Sequence, residues 1–224
     1  MILVFDLDDT LYSEVDFVKS GFKEVTNFLY KEYTLNRNES YATMIQELNQ
    51  NGRGKIFDVL LQKHNLYSKK MIKKCLSVYR LHKPNISLNK DSILCLKRFE
   101  NSIKYIVSDG NKIVQKNKIE ALNLQQHVKR VFLTHEFGIK NSKPSPYCFM
   151  KISNIEKEKP KNIVYIGDNP HKDFVEIKKI GFKTIRINKG MFKNQQFDIE
   201  HESHIIIDSL GELSIKLLNK LLYI

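Results

Sequence analysis

The chain has 224 residues, 42% hydrophobic and 28% charged, which is ordinary for a globular protein and leaves room for one sizeable domain with a smaller insertion. No apolar run approaches the ~18 residues of a membrane helix, and the chain opens directly on strand-like sequence, so neither a membrane span nor a signal peptide is expected. The net charge of +12 comes from scattered lysines; arginine, suited to bidentate phosphate and guanine contacts, is scarce, so no nucleic-acid partner is expected.

Cys75, Cys95 and Cys148 are an odd, widely spaced set with no metal-ligand or disulfide pattern, which points to the cytoplasm. Ile2-Leu3-Val4-Phe5 reads as a buried strand that stops in Asp6, Asp8, Asp9 and Thr10. A helix is predicted from Ser13 or Glu14, with Val15, Val18, Phe22, Val25 and Leu29 on one stripe. The polar stretch 34–40 interrupts that pattern. A second helix is predicted over 41–48, a loop over 49–55, and two more helices over 56–64 and 69–82, the last ended by Pro84. No strand is expected between 14 and 87.

The character then changes. Helices at 91–100, 111–124 and 146–155 alternate with strands at 103–108, 131–134 and 163–167. A helix through Phe174, Ile177 and Ile180, closed by Gly181, leads to strands at 184–187 and 205–207. The final helix is predicted to open on Ser209 and Glu212, a capping-box spacing, and to carry Leu210, Leu213, Leu217, Leu218 and Leu221 on one side. Alternating strands and helices make this an α/β chain: a doubly wound parallel-sheet (Rossmann-like) core, residues 1–13 and 88–224, with an inserted all-helical segment, 14–87.

Parallel strands bring their carboxyl ends to one edge of the sheet, where ligands bind. Four polar stretches meet that description: Asp6-Leu7-Asp8-Asp9-Thr10, Ser108-Asp109-Gly110-Asn111, Lys143-Pro144-Ser145-Pro146 and Gly167-Asp168-Asn169-Pro170-His171-Lys172-Asp173. Carboxylates from the first and fourth can share a hard divalent cation, most simply Mg²⁺. A hydroxyl, backbone N–H groups and a lysine can receive an anion beside it, which suggests phosphoryl transfer.

Asp6-x-Asp8-x-Thr10, Ser108, Lys143 and Gly167-Asp168-x₄-Asp173 match, in order, the four motifs of the haloacid dehalogenase-like hydrolases, and the chain resembles that family over its whole length. The resemblance implies that Asp6 is a nucleophile forming an aspartyl-phosphate, and that Asp8 is first a general acid and then a general base. It implies Mg²⁺ held by Asp6, the main-chain carbonyl of Asp8, and Asp168, and phosphate bound by Ser108, the N–H groups of Asp109 and Gly110, and Lys143. Asp173 is expected to support Lys143 or a metal-bound water. Asp8 needs a proton at neutral pH, so Asp6 and Asp9 are expected to raise its pKa.

An acid at position 8 is not used by the family's dehalogenases, so the resemblance implies a Mg²⁺-dependent phosphatase of a small phosphorylated metabolite, a sugar phosphate or a nucleoside monophosphate. A phosphomutase using the same intermediate is the alternative, with a non-catalytic regulatory or nucleic-acid-binding protein on this fold as a third class. The helical segment would act as a cap that reads the leaving group. Arg53, alone between Gly52 and Gly54, is the candidate substrate-binding residue there, set equally against an ordinary surface turn. Thr10 is expected to fix its turn by hydrogen bonding, Asp9 to be a solvated or helix-start acid rather than a catalyst, Asn169 to support Asp168 or form a turn, and His171 to be exposed. Tyr12 is read as lining the site or packing in the core. The protein is expected to be a monomer or homodimer.

Overall fold

The computed structural model describes residues 1–223. The chain divides into two compact units, one formed by Met1–Glu14 and the chain from Ser87 onward, the other by Val15–Ile86. Among the described residues no helix is long and apolar enough to cross a membrane.

The first unit is built on six parallel strands: β1 (Ile2–Phe5), β2 (Ile103–Ser108), β3 (Arg130–Leu133), β4 (Ile163–Gly167), β5 (Lys183–Ile187) and β6 (Ile205–Ile207). Their order in the sheet is β3-β2-β1-β4-β5-β6, so β1 lies between β2 and β4. Every residue of β1 and β4 is buried, because helices cover both faces; that is why these strands are continuous apolar runs rather than alternating ones. Phe5 is in register with Ile106 on one side and Ile166 on the other, and the Asp6 N–H continues the ladder to the Ile166 carbonyl at 2.8 Å. The polar residues just past these three strands are therefore neighbours in space. An aromatic core holds the sheet behind them: Phe149 packs edge-on against Tyr165 at 4.8 Å and against Phe182 at 5.9 Å. Each such buried ring contributes roughly 1.5–3 kcal/mol relative to exposure.

Helices of this unit are α5 (Lys90–Arg98), α6 (Lys112–Ala121), α7 (Tyr147–Glu156), α8 (Pro170–Asp173), α9 (Val175–Lys179) and α10 (Ile215–Leu222). Two differ from the sequence expectation. The helix predicted through Phe174 is two short ones, α8 and α9, separated at the fully buried Phe174, although Gly181, at φ +95°, does close it. The capping-box hydrogen bonds at Ser209 and Glu212 exist, with Glu212 Oε1 accepting from the N–H groups of Asp208 and Ser209, yet they close a turn rather than open a helix. Arg98 donates to the carbonyls of Gly211 and Leu213, which are thereby drawn out of helical bonding, and α10 starts at Ile215 under a Ser214 cap.

The second unit is all helix: α1 (Glu14–Tyr33, all but its first residue), α2 (Arg37–Asn51), α3 (Ile56–Lys63) and α4 (Lys69–Leu81). Val18, Phe22, Val25, Leu29, Met44, Leu60, Leu61 and Cys75 form its buried core. The second helix begins four residues earlier than expected. Asn36 caps it by accepting from the Glu39 N–H at 3.1 Å, and its polar start reflects a helix that buries only Ser40, Met44 and Glu47.

Candidate active site

The four polar stretches converge on a cavity of about 210 Å³ lined by Asp6, Asp8, Asp9, Glu14, Ser108, Asp109, Lys143, Asp168, Asn169, Lys172, Met191 and Phe192. Asp6 lies just past β1, Ser108 closes β2, Asp168 follows β4, and Lys143 precedes α7. Gly167 is required where it stands: a Cβ there would lie 2.4 Å from Asp173 Oδ2. Asp9 receives the Glu14 N–H at 2.8 Å and so starts α1, as expected, while Asn169 accepts from the His171 N–H and caps α8. His171 is exposed.

Lys143 is the electrostatic centre of the site. Its fully buried ammonium lies 2.8 Å from Asp6 Oδ1, 2.7 Å from Asp173 Oδ1 and 2.9 Å from the Tyr165 hydroxyl, which occupies all three of its donors. Burial works against that charge, but Asp173 and Asp6 outweigh it and hold the lysine pKa well above its usual value. Asp173 thus supports Lys143, and it also receives the Asn169 N–H. The Asp109 carboxylate accepts from Thr134 Oγ1 at 2.7 Å and from the Lys143 N–H at 3.1 Å, fastening the Lys143 loop to the ends of β2 and β3.

Asp6, Asp168 and Asp173 each offer a carboxylate oxygen within 4.8 Å of the others, all three buried. Burial raises the Asp6 pKa to about 7 against the opposing pull of Lys143, and raises Asp168 to about 9 with help from Asp173 and Asp6. Such values mark negative charge that one lysine does not balance. A divalent cation fits this donor set, because oxygen ligands at close range are what it requires and like charges are what it relieves.

Two expectations are overturned. Asp8 is not raised. Burial alone would raise it, but Lys118 at 2.7 Å, with hydrogen bonds from Lys118, Tyr12 and Gln115, prevails and holds the carboxyl below its ordinary value. Thr10 does not fix its turn through its side chain: Oγ1 is buried with no hydrogen-bond partner among the described residues. Arg53 lies on the exposed turn between α2 and α3, in the helical unit.

The family model of the haloacid dehalogenase-like hydrolases matches residues 3–187. The chain belongs to this family. Two relatives, both named glyceraldehyde 3-phosphate phosphatase, resemble it nearly end to end. That of Pyrococcus furiosus is 25% identical over 220 residues, spanning 95% of this chain and 90% of the relative. That of Methanocaldococcus jannaschii is 28% identical over 227 residues, spanning 94% of each. Among solved structures, the HAD-hydrolase YfnB of Bacillus subtilis, crystallised bound to magnesium, gives a TM-score of 0.67 at 17% identity, covering 97% of this chain and 98% of that one, a likeness of fold.

In this haloacid dehalogenase-like hydrolase the sequence reading missed Gln115, Lys118 and Tyr165, and left Tyr12 undecided. Tyr12 is fully buried and its hydroxyl donates to Asp8. Gln115 and Lys118 read as ordinary polar positions of a helix, and Tyr165 as one more strand aromatic. The available signal was burial: polar residues on the covered side of α6 must have partners.

Proposed function

We propose that the protein is a Mg²⁺-dependent phosphatase of a small sugar phosphate, with glyceraldehyde 3-phosphate as the leading substrate. The observation that carries this reading is Lys143, whose ammonium lies 2.8 Å from Asp6 Oδ1 in the cavity that both residues line, beside Ser108 and Asp168. The nearly full-length likeness to two glyceraldehyde 3-phosphate phosphatases supports the substrate class.

In this reading the Asp6 oxygen forms a bond to phosphorus while the phosphorus–oxygen bond to the sugar breaks. A proton on Asp8 passes to the departing oxygen. Water then attacks the aspartyl-phosphate, giving its proton to Asp8, and phosphate leaves. Lys118 favours the carboxylate form of Asp8, suited to the second step; the incoming phosphate adds negative charge beside Asp8 and favours the protonated form needed in the first. Ser108 and the N–H groups of Asp109 and Gly110 receive the phosphoryl oxygens, and Lys143 orients Asp6. Asp6, Asp168 and the main-chain carbonyl of Asp8 would hold Mg²⁺, which when bound screens the nucleophile from the anionic ester. The helical unit serves as the cap, with Arg53 binding substrate.

A panel of phosphate esters with Mg²⁺ or EDTA tests this. Glyceraldehyde 3-phosphate should be hydrolysed faster than nucleoside monophosphates, only with Mg²⁺, and Asp6→Asn should lose at least ~10³-fold in kcat. Activity persisting in Asp6→Asn removes the mechanism.

A further inference from the structure

Asp8 is held by three side chains, none of which makes or breaks a bond in the proposed chemistry. Its Oδ1 accepts from Lys118 Nζ at 2.7 Å and from the Tyr12 hydroxyl, and its Oδ2 accepts from Gln115 Nε2 at 2.9 Å. Gln115 Nε2 also lies 2.6 Å from Ser108 Oγ, to which it donates. Gln115 is 2% exposed and Lys118 3%. Both project from α6, three residues apart and so on one face, across more than 100 residues of sequence to Asp8. Burying a lysine and an amide costs stability unless both are partnered, so their presence beneath the site asks for a reason.

We propose that Gln115 and Lys118 are positioning residues that aim the Asp8 carboxyl at the departing oxygen, and that Gln115 couples this aim to the phosphate-binding hydroxyl of Ser108. By donating to Ser108 Oγ, Gln115 occupies a lone pair and turns the serine proton outward, toward a phosphoryl oxygen. One amide nitrogen thereby sets both the group that protonates the leaving oxygen and the group that holds the phosphoryl. Lys118 anchors the opposite oxygen of Asp8, fixing the carboxyl plane. Misaimed by an ångström, a proton donor loses orders of magnitude in rate. The inference rests on the phosphatase reading, with Asp8 as acid.

The test uses leaving groups. Glyceraldehyde 3-phosphate expels an alkoxide, which needs a proton, whereas p-nitrophenyl phosphate expels a stable phenolate, which does not. Asp8→Asn, Gln115→Met, Lys118→Met and Lys118→Arg are each assayed on both esters, and the ratio of the two kcat/KM values, which reports the step that expels the leaving group and not the shared hydrolysis of the aspartyl-phosphate, is read within one preparation. That ratio does not depend on how much of the variant is folded. Asp8→Asn should lower the alkyl-to-aryl ratio by roughly 10²-fold or more. Gln115→Met and Lys118→Met should each lower it by about tenfold or more, Lys118→Met with KM nearly unchanged and Gln115→Met with KM raised on both esters as Ser108 loses its aim, and Lys118→Arg should recover part of the loss. An unchanged ratio in Asp8→Asn overturns the acid role itself. A fall in Asp8→Asn with unchanged ratios in both Met variants, whether their activities are kept or lowered equally on both esters, overturns the positioning proposal and leaves the phosphatase reading standing.

Discussion

A buried ammonium with three acceptors is worth keeping only while all three remain. Tyr165 is the least expected partner of Lys143, and it also donates to Asp173 Oδ1 at 3.0 Å, so its hydroxyl links the lysine to its own counter-ion. Tyr165→Phe keeps the ring that packs on Phe149 and removes only that link. It should lower unfolding stability by about 1.5–3 kcal/mol, as for a lost hydrogen bond to a charged group, and reduce kcat several-fold as Asp6 loses a fixed neighbour. Urea denaturation and steady-state assay check both; stability equal to the parent would show that the hydroxyl contributes nothing to the lysine. Asp6 and Asp168 were readable in the sequence because each follows a strand, where chemistry and local pattern coincide, and Asp173 because it stands at a fixed spacing from Asp168. Their partners were not. Gln115 and Lys118 reach Asp8 across 107 and 110 residues, and no local period encodes such a meeting. The same gap explains the error at Asp8, whose neighbouring acids are visible in sequence while the lysine that outweighs them is not.

Elements follow the same division. β1 and β4 were legible because burial on both faces writes an unbroken apolar run, and β2 because Tyr105, Ile106 and Val107 carry a shorter run of the same kind. Helix ends were less legible, because caps are single polar residues whose partners are chosen by tertiary context. Asn36 starts α2 inside a stretch that looked like loop, and Ser214 rather than Ser209 starts α10 because Arg98 claims the carbonyls between them. The turn between α2 and α3 is the place where such a short element bears on substrate choice. Gly52, at φ +74°, ends α2 in a backbone conformation that side chains resist, and Arg53 follows it, exposed. If Arg53 binds the part of the substrate remote from phosphorus, Arg53→Ala should raise KM for glyceraldehyde 3-phosphate about tenfold, near the worth of one charge-assisted hydrogen bond. Turnover of p-nitrophenyl phosphate should stay within about twofold. Parallel loss on both esters, or on neither, rejects the assignment.

At the scale of the whole molecule, the acidic site is a local liability that a globally basic chain does not cancel. The net charge is +12, yet the cavity is lined by Asp6, Asp8, Asp9, Glu14, Asp109 and Asp168 against Lys143 and Lys172. Surface lysines are screened over about 8–10 Å of salt solution and do little for carboxylates buried at the sheet edge. Asp6 and Asp168 have folded pKa values raised to about 7 and about 9 from ordinary values of 3.8, so the folded chain binds those protons more tightly than the unfolded one. A carboxyl shifted upward favours the fold while protonated, and that contribution fades as pH climbs from about 4 through 7 to 9. A cation that binds only the deprotonated oxygens must act in the opposite sense, contributing more as pH rises. With EDTA, Tm should therefore fall by several degrees between about pH 6 and about pH 8.5, and millimolar Mg²⁺ should restore most of the loss at the higher pH while changing little at the lower. In Asp168→Asn the fall in EDTA should be shallower and the Mg²⁺ effect should vanish, because both the raised carboxyl and a ligand are gone. Thermal melts across that pH range decide it: a Mg²⁺ shift equal at both ends, or one that survives Asp168→Asn, would place the cation somewhere other than on these carboxylates.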